Sequence, residues 1–366
     1  MDFALTPDQE SLRSSVRDFL SKECTSAVVR EACESDQPYD AALWRKVADL
    51  GWPALRVPEE YGGVGLGWIE TALLAEEMGR ALFPGPYFST LLAATAILAG
   101  GNEETKKKYL PGLADGSLIG AVALFEGRAD RPEDIRMKAR PSGSDYVLDG
   151  VKLFVTDGNA ADVIVVAALG EDGLAFLVVD GADEGVVTEA LPVVDRTRPQ
   201  ASVTFAEVEI PAANLLGNGT FELIRDRAAL FLAAEQTGIA RRCMEMSIEY
   251  AKTRQQFGKP IGIYQAVSHK LSDMYMMVEH ATSLVLFAAW AADEDPDVAS
   301  AAAWRAKVWA SRAARAATGD GIQVHGGIGF TWEHDLHLYF KRAKANEFLI
   351  SDSFSLRELI ADRLAG

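Results

Sequence analysis

The chain has 366 residues, 49% of them hydrophobic, with 53 Asp and Glu against 36 Lys and Arg, giving a net charge of −17. That length accommodates two or three domains with substantial cores, and the hydrophobic content excludes intrinsic disorder. The acidic balance excludes nucleic acid or an anionic membrane surface as the main partner, while local clustering of the cations leaves an anionic small ligand open.

The N-terminal stretch MDFALTPDQESLRSSV turns polar and acidic too early for a secretory signal, and no apolar run approaches the ~20 residues a membrane helix needs. Cys24, Cys33 and Cys243 match no metal spacing and leave an odd thiol, as in a reducing interior. A cytoplasmic chain with no membrane and no nucleic-acid partner is expected.

Residues 1–118 read as helical. Thr6-Pro7 supplies an N-cap and a first-turn proline, and Leu12, Val16 and Phe19-Leu20 recur at helical spacing. Further apolar helices are predicted over 41–50, 68–81 and 88–100. Residues 119–218 change to short β-branched runs, YVLDGVKLFVT, ADVIVVAAL, LAFLVVD and ASVTFAEVEI, each bounded by Gly, Asp, Asn or Pro. That pattern predicts a middle antiparallel β-barrel or sandwich. From 219 to 366 the helical period returns in long segments, near 221–252, 264–293, 297–323 and 334–347, followed by a short tail helix. The fold class is therefore α+β and multidomain, with helical, β and helical-bundle domains at 1–118, 119–218 and 219–366.

Two motifs read as decoys. Gly62-Gly63-Val64-Gly65-Leu66-Gly67 lacks the glycine spacing and the preceding strand of a phosphate loop, so it reads as a turn. Glu333-His334-Asp335 with His337 lacks HExxH order, and a solvated helix face is the preferred reading there.

Two junctions carry more information. YAKTRQQFGKPIGIYQAVSHKLSDM joins a helix end to a Gly258-Lys259-Pro260 turn, with Arg254 offering a fork of donors for phosphate and Phe257 an aromatic surface for a ring. In QVHGGIGFTWE, Gln323 precedes Gly326-Gly327, where a backbone can approach a ligand closely.

Together these segments resemble the acyl-CoA dehydrogenase family over essentially the whole chain. The first is similar to its R-x-x-F-G…Q…L-A-D-M signature and the second to its Q-x-x-G-G-x-G-[FY]-x-x-E segment. PEEYGGVGLG, FVTDGNAAD and VEIPAANLLG fall where that family has counterparts. The resemblance implies a C-terminal four-helix bundle, assembly as homodimers, homotetramers or hetero-oligomers, and FAD at subunit interfaces. It implies that Arg254, Phe257, Gln265, Gln323, Gly326 and Gly327 contact the dinucleotide, in part that of a partner subunit, and that Thr156 lies by the isoalloxazine. It also implies an acyl-CoA substrate, electron-transfer flavoprotein as acceptor, and α,β-desaturation of the thioester. In that reaction a carboxylate removes the α-proton while flavin N5 takes a hydride.

Three positions depart from the family pattern. The middle-domain flavin motif T-E-P-x-x-G-S-D corresponds to Leu124-Phe125-Glu126-Gly127-Arg128-Ala129-Asp130, with Phe125 in place of the Thr hydroxyl and the Gly-Ser pair gone. Ser142-Gly143-Ser144-Asp145 reads as a hairpin turn, not a substitute. The tryptophan that backs the flavin corresponds to Phe154. The family's base position falls on Ile350, which cannot accept a proton, and an alternative position used by some members falls on Ala228. Asp226 and Glu222 lie off the face of Ala228, whereas Glu235 shares it at ~10 Å along the axis. Glu235 is thus either a candidate base or a buried acid paired with an arginine or a backbone donor. Asp352 is either a second candidate base or the N-cap of SFSLRELIADRL. A self-sufficient enzyme, one subunit of a hetero-oligomer whose partner supplies the base, a flavin oxidase or monooxygenase on the same fold, and a structural or acyl-binding subunit all remain open.

Overall fold

A computed structural model describes residues 4–127, 131–217 and 220–365. Six helices come first: α1 (Pro7–Glu23), α2 (Ser26–Glu34), α3 (Ala41–Asp49), α4 (Trp68–Ala81), α5 (Tyr87–Gly100) and α6 (Glu103–Ala114). Eight strands come next: β1 (Gly120–Ala123), β2 (Lys138–Ser142), β3 (Asp145–Thr156), β4 (Val163–Gly170), β5 (Gly173–Asp180), β6 (Val186–Ala190), β7 (Gln200–Ile210) and β8 (Leu215–Leu216). The chain then returns to helix in α7 (Thr220–Thr253), α8 (Gln265–Glu294), α9 (Pro296–His325), α10 (Leu336–Phe348) and α11 (Ser353–Ala365). Between α7 and α8, Gln255–Gln256 (β9) and Lys259–Pro260 (β10) pair as a small hairpin. No helix among the described residues is long and apolar enough to cross a membrane, and the three cysteines form no disulfide.

Compactness regroups these elements into two units, one of residues 1–30, 68–83 and 228–366, the other of 31–67 and 84–227. In the first, α1 starts as its sequence dictates. The Thr6 hydroxyl accepts from the Gln9 amide at 3.2 Å and the Gln9 side chain accepts from the Thr6 amide at 3.0 Å, a complete capping box. Helices α4 and α7 cross at backbone contact. A Cβ on Gly79 would lie 2.0 Å from the Glu235 carbonyl oxygen, and one on Gly238 would lie 1.8 Å from that of Glu76. Either methyl group would force the helices apart. Ion pairs flank the crossing, with Arg241 on Glu76 at 2.8 Å and Arg17 on Glu77.

The second unit is built on one sheet, in the order β6-β7-β3-β2-β4-β5-β8 with β1 beside β4. It is mixed: β3–β7, β4–β5 and β6–β7 pair antiparallel as expected, but β1–β4 and β2–β4 are parallel. Its core takes Leu148, Val155, Ile164, Val166, Leu177 and Phe205 from alternate positions of β3, β4, β5 and β7. Ser142 and Asp145 pair across the β2–β3 hairpin, as the turn reading of Ser142-Gly143-Ser144-Asp145 requires. In the same unit Glu59–Tyr61 form one 3-10 turn and Gly62–Gly67 continue as loop, so the glycine-rich stretch is a turn and comes after no strand.

Gly238→Ala should lower stability by about 1–3 kcal/mol through overpacking at the α4–α7 crossing. Urea unfolding of the purified chain measures it, and an unchanged midpoint would show that the helices separate at no cost.

Candidate functional site

Both sequence junctions sit at the C-terminal ends of α7 and α9. Arg254 comes directly after the last turn of α7, is exposed, and its guanidinium makes no hydrogen bond or ion pair among the described residues. The β9–β10 turn places Phe257 and Gly258 at φ +52° and +76°, the pattern of a type I′ hairpin turn. A left-handed phenylalanine is uncommon. Phe257 is 91% exposed, touching only the Tyr264 ring edge-on at 6.3 Å among the contacts described. Gln265 opens α8 and Gln323 lies in the last turn of α9, both exposed. Gly326 ends α9 at φ +65°, which a Cβ would strain. Gly327 has ordinary φ, and a Cβ there would meet nothing within 4 Å. The fold itself does not demand glycine at 327, and the open space before it suits close approach by something outside the chain.

The β unit carries a set of its own. Leu124 and Phe125 come after β1, tied down by Lys152 of β3, whose ammonium donates to the Leu124 carbonyl at 2.7 Å and to Glu126 Oε1 at 2.6 Å. The Leu153 amide donates to the Phe125 carbonyl at 2.8 Å. Lys152 is fully buried, and burial pushes its pKa down against the pull of Glu126. Burial also works against the Glu126 charge, but Lys152 and the Met137 and Arg136 amides outweigh it and hold the carboxyl below its usual range. Phe125 meets Phe221 edge-on at 6.2 Å. A register shift between Lys152 and Val155 marks a bulge in β3, and within it Phe154 stands at φ +58° and 50% exposed. Thr156 ends β3 with a hydroxyl that makes no hydrogen bond among the described residues, and beyond it Ser89 donates to Asp157 at 2.7 Å. Arg128, Ala129 and Asp130, part of the altered flavin motif, lie outside the described residues.

Each set suits part of a large anionic ligand with aromatic rings. In the helical unit an uncommitted guanidinium and an open glycine backbone suit a diphosphate, and exposed Phe257 suits a ring. In the β unit half-exposed Phe154 suits a ring system, with the Thr156 hydroxyl two residues along the strand.

The acids behave differently. Glu235 is 1% exposed, and both carboxylate oxygens are engaged from α10: Arg342 Nη1 donates to Oε1 at 2.6 Å and Asn346 Nδ2 to Oε2 at 2.7 Å. Arg342 also reaches the Phe83 carbonyl at 3.4 Å. This gives Glu235 the task of a structural acid fixing α10 on α7, and Ala228 nearby is fully buried. Asp352 Oδ1 accepts from the Phe354 and Ser355 amides at 2.9 and 2.8 Å, which makes it the N-cap of α11. Ile350 stands at φ +67°, and the Ser351 amide donates to the Leu349 carbonyl at 2.9 Å. That is a γ-turn of the rare positive-φ kind. For a β-branched residue such a conformation is strained and persists only where the surroundings impose it. Lys307, 1% exposed on α9, reaches the same Leu349 carbonyl at 3.5 Å.

Sequence reasoning did not single out Lys152, Lys307, Arg342 or Asn346. The available signal was Arg342 and Asn346 at i, i+4 on one helix face. The solvated-face reading of Glu333–His337 holds for exposed Glu333 but not for its neighbours. Instead Asp335 pairs with Arg30 at 2.6 Å, the His334 ring lies 4.5 Å from that of His325, and His337 meets Trp332 at 4.7 Å. The charges in the stretch hid aromatic rings that pack. Among the described residues no grouping of three or more His, Cys, Asp or Glu side chains is placed to hold a metal ion.

Glu235→Gln removes one partner of a buried pair and should cost about 3–5 kcal/mol, because the Arg342 charge is left uncompensated. Replacing both together, Glu235→Leu with Arg342→Met, should recover much of that loss. A urea-unfolding double-mutant cycle reads the coupling, and additive losses would contradict it.

Residues 6–117 match the model of the acyl-CoA dehydrogenase N-terminal domain, and residues 224–365 that of the acyl-CoA dehydrogenase C-terminal domain. The chain is 37% identical to the acyl-CoA dehydrogenase IpdE2 of Mycobacterium tuberculosis (strain ATCC 25618 / H37Rv), covering 94% of both. The solved ChsE4-ChsE5 complex from Mycobacterium tuberculosis superposes with a TM-score of 0.93 at 30% identity, over 100% of this chain and 99% of that one. The FAD complex of PigA superposes with a TM-score of 0.92 at 27% identity, over 100% and 99%. The chain belongs to the acyl-CoA dehydrogenase family.

Proposed function

We propose that this chain is one subunit of a hetero-oligomeric, FAD-dependent acyl-CoA dehydrogenase, holding the dinucleotide while a related partner chain supplies the carboxylate that takes the α-proton. The observation that carries this reading is Ile350. The base position that the resemblance implies is occupied by an aliphatic side chain in a strained turn, and the two candidate acids, Glu235 and Asp352, are engaged elsewhere. The likeness to one chain of a complex between two differently named proteins supports a mixed oligomer. Specificity for a particular acyl group is left to the partner's site.

FAD, when bound, supplies the hydride acceptor for oxidation at the β-carbon, and an electron-transfer flavoprotein is the expected downstream acceptor. The chain's own residues bind and orient. Arg254 offers its uncommitted guanidinium to the diphosphate, with Gln265, Gln323 and the Gly326-Gly327 backbone as further contacts. Phe257 gives an aromatic surface. Phe154 and Leu124 present apolar surface to the ring system, and the Thr156 hydroxyl offers a hydrogen bond. Phe348, Leu349 and Ile350 keep the turn at the base position apolar, so no proton is taken there by this chain.

Two outcomes test this. Expressed alone, the chain should purify with little flavin, and co-expressed with a related dehydrogenase chain it should purify as a yellow complex. A stoichiometric flavin spectrum from the chain alone, bleached by an acyl-CoA, would overturn the reading. In the complex, Arg254→Met should weaken flavin retention by about 1.5–3 kcal/mol, the worth of a charged hydrogen bond, as read by flavin fluorescence on dilution.

A further inference from the structure

Tyr250 lies four residues before Arg254, and His325 lies two residues after Gln323. Their rings stack at 4.4 Å with 25° between planes, joining the ends of α7 and α9 directly. His325 in turn lies 4.5 Å from His334, which precedes α10. The hydrogen bonds at these two histidines require particular protonation. His325 Nδ1 is 2.8 Å from the Gly321 carbonyl oxygen, so this nitrogen carries a hydrogen and donates. His334 Nδ1 accepts from the Leu336 amide at 3.2 Å, so it carries none, and it serves the first residue of the 13-residue α10. A proton on that nitrogen would remove an acceptor from a helix N-terminus and put positive charge there, against the helix dipole.

We propose that His325 and His334 are positioning residues for the dinucleotide clamp: as neutral rings they dock the Arg254–Gln265 and Gln323–Gly327 junctions against each other through Tyr250, and protonation of His334 undocks them. The clamp assignment rests on the function proposed above; the docking itself rests on the stack.

The groups facing the two rings pull in both directions. Beside His334, Asp335 favours a proton, but Asp335 is paired with Arg30, which opposes one. Across the turn, His337 packs on Trp332 and has Lys341 nearby, a further positive group. Burial pushes both His325 and His334 below the ordinary imidazole value, and each lies close enough to the other to resist a second charge. An undocked imidazole titrates at about 6.5, whereas the docked one takes its proton at lower pH. The undocked state therefore binds more protons, and docking weakens as pH falls below about 6.5, by roughly a factor of ten per pH unit of depression.

Hydrogen–deuterium exchange of the full chain, alone and in its co-expressed complex, tests this between about pH 7.5 and 5.5, a range that spans the ordinary imidazole value. After correction for intrinsic exchange, segments 250–265 and 323–336 should lose protection on acidification. His334→Asn keeps an acceptor for the Leu336 amide and cannot be protonated there, so it should flatten that acid response. His325→Phe should keep the stack at every pH, and His325→Ala should lose protection at every pH. Flavin release from the complex should follow the same order. An unchanged acid response in His334→Asn, or full protection in His325→Ala, would overturn the proposal. Because exchange of the chain alone is read without flavin, failure of the clamp assignment would show only in the release data.

Discussion

A carboxylate and a guanidinium with almost no exposure hold α10 against α7, and much of the helical unit depends on that pair. Charges taken out of water must find each other in good geometry or the unit does not close. Glu235 satisfies this with Arg342 and Asn346, one turn apart on α10. The same stretch of α7 carries Gly238, where α4 passes at backbone distance, so the pair and the crossing share one region of helix. Fixing α10 also fixes the turn through Leu349 and Ile350 at its C-terminal end. An aliphatic residue can be kept at positive φ there because the helix before it, the Asp352 cap after it and the Lys307 ammonium beneath it leave the backbone little choice.

On the proposed reading, two tasks that one active site normally unites are separated. Surfaces suited to a dinucleotide are present: exposed left-handed Phe257 and Phe154, an exposed Arg254 whose guanidinium has no partner among the described residues, and a glycine at 327 that packing does not require. The position where the resemblance puts the proton-moving group holds Ile350, and the proposal is that this chain supplies none there. Strained backbone occurs at Phe154, Phe257 and Ile350 alike.

Much of the fold was legible because its signals are local. The Thr6 cap, the 3.6-residue period of α7, α8 and α9, and the hairpin turn before β3 are all written within a few residues of where they act. Helices α2 and α6 were not legible: α2 has only nine residues, and Pro111 inside α6 mimics a turn signal. The parallel pairing of β1 and β2 with β4 depends on chain crossings that no periodicity encodes. In the site, the placement of the junction residues at the ends of α7 and α9 could be read from motif spacing, and the same spacing put Ile350 at the position on which the proposal rests. The partners of Glu235 lie 107 and 111 residues away and could not be read from it. The histidines of 325–337 were hidden for a different reason, since a run of charges looks solvated until its rings are seen to stack.

If this chain holds FAD but does not abstract the α-proton, the most direct test is anaerobic acyl-CoA titration of the chain reconstituted with FAD in the absence of any partner. Visible flavin absorbance reads the result. The flavin should remain oxidised over a panel of acyl-CoA thioesters and bleach only when the partner chain is added. Bleaching by the reconstituted chain alone would contradict the claim and return the base to a residue of this sequence.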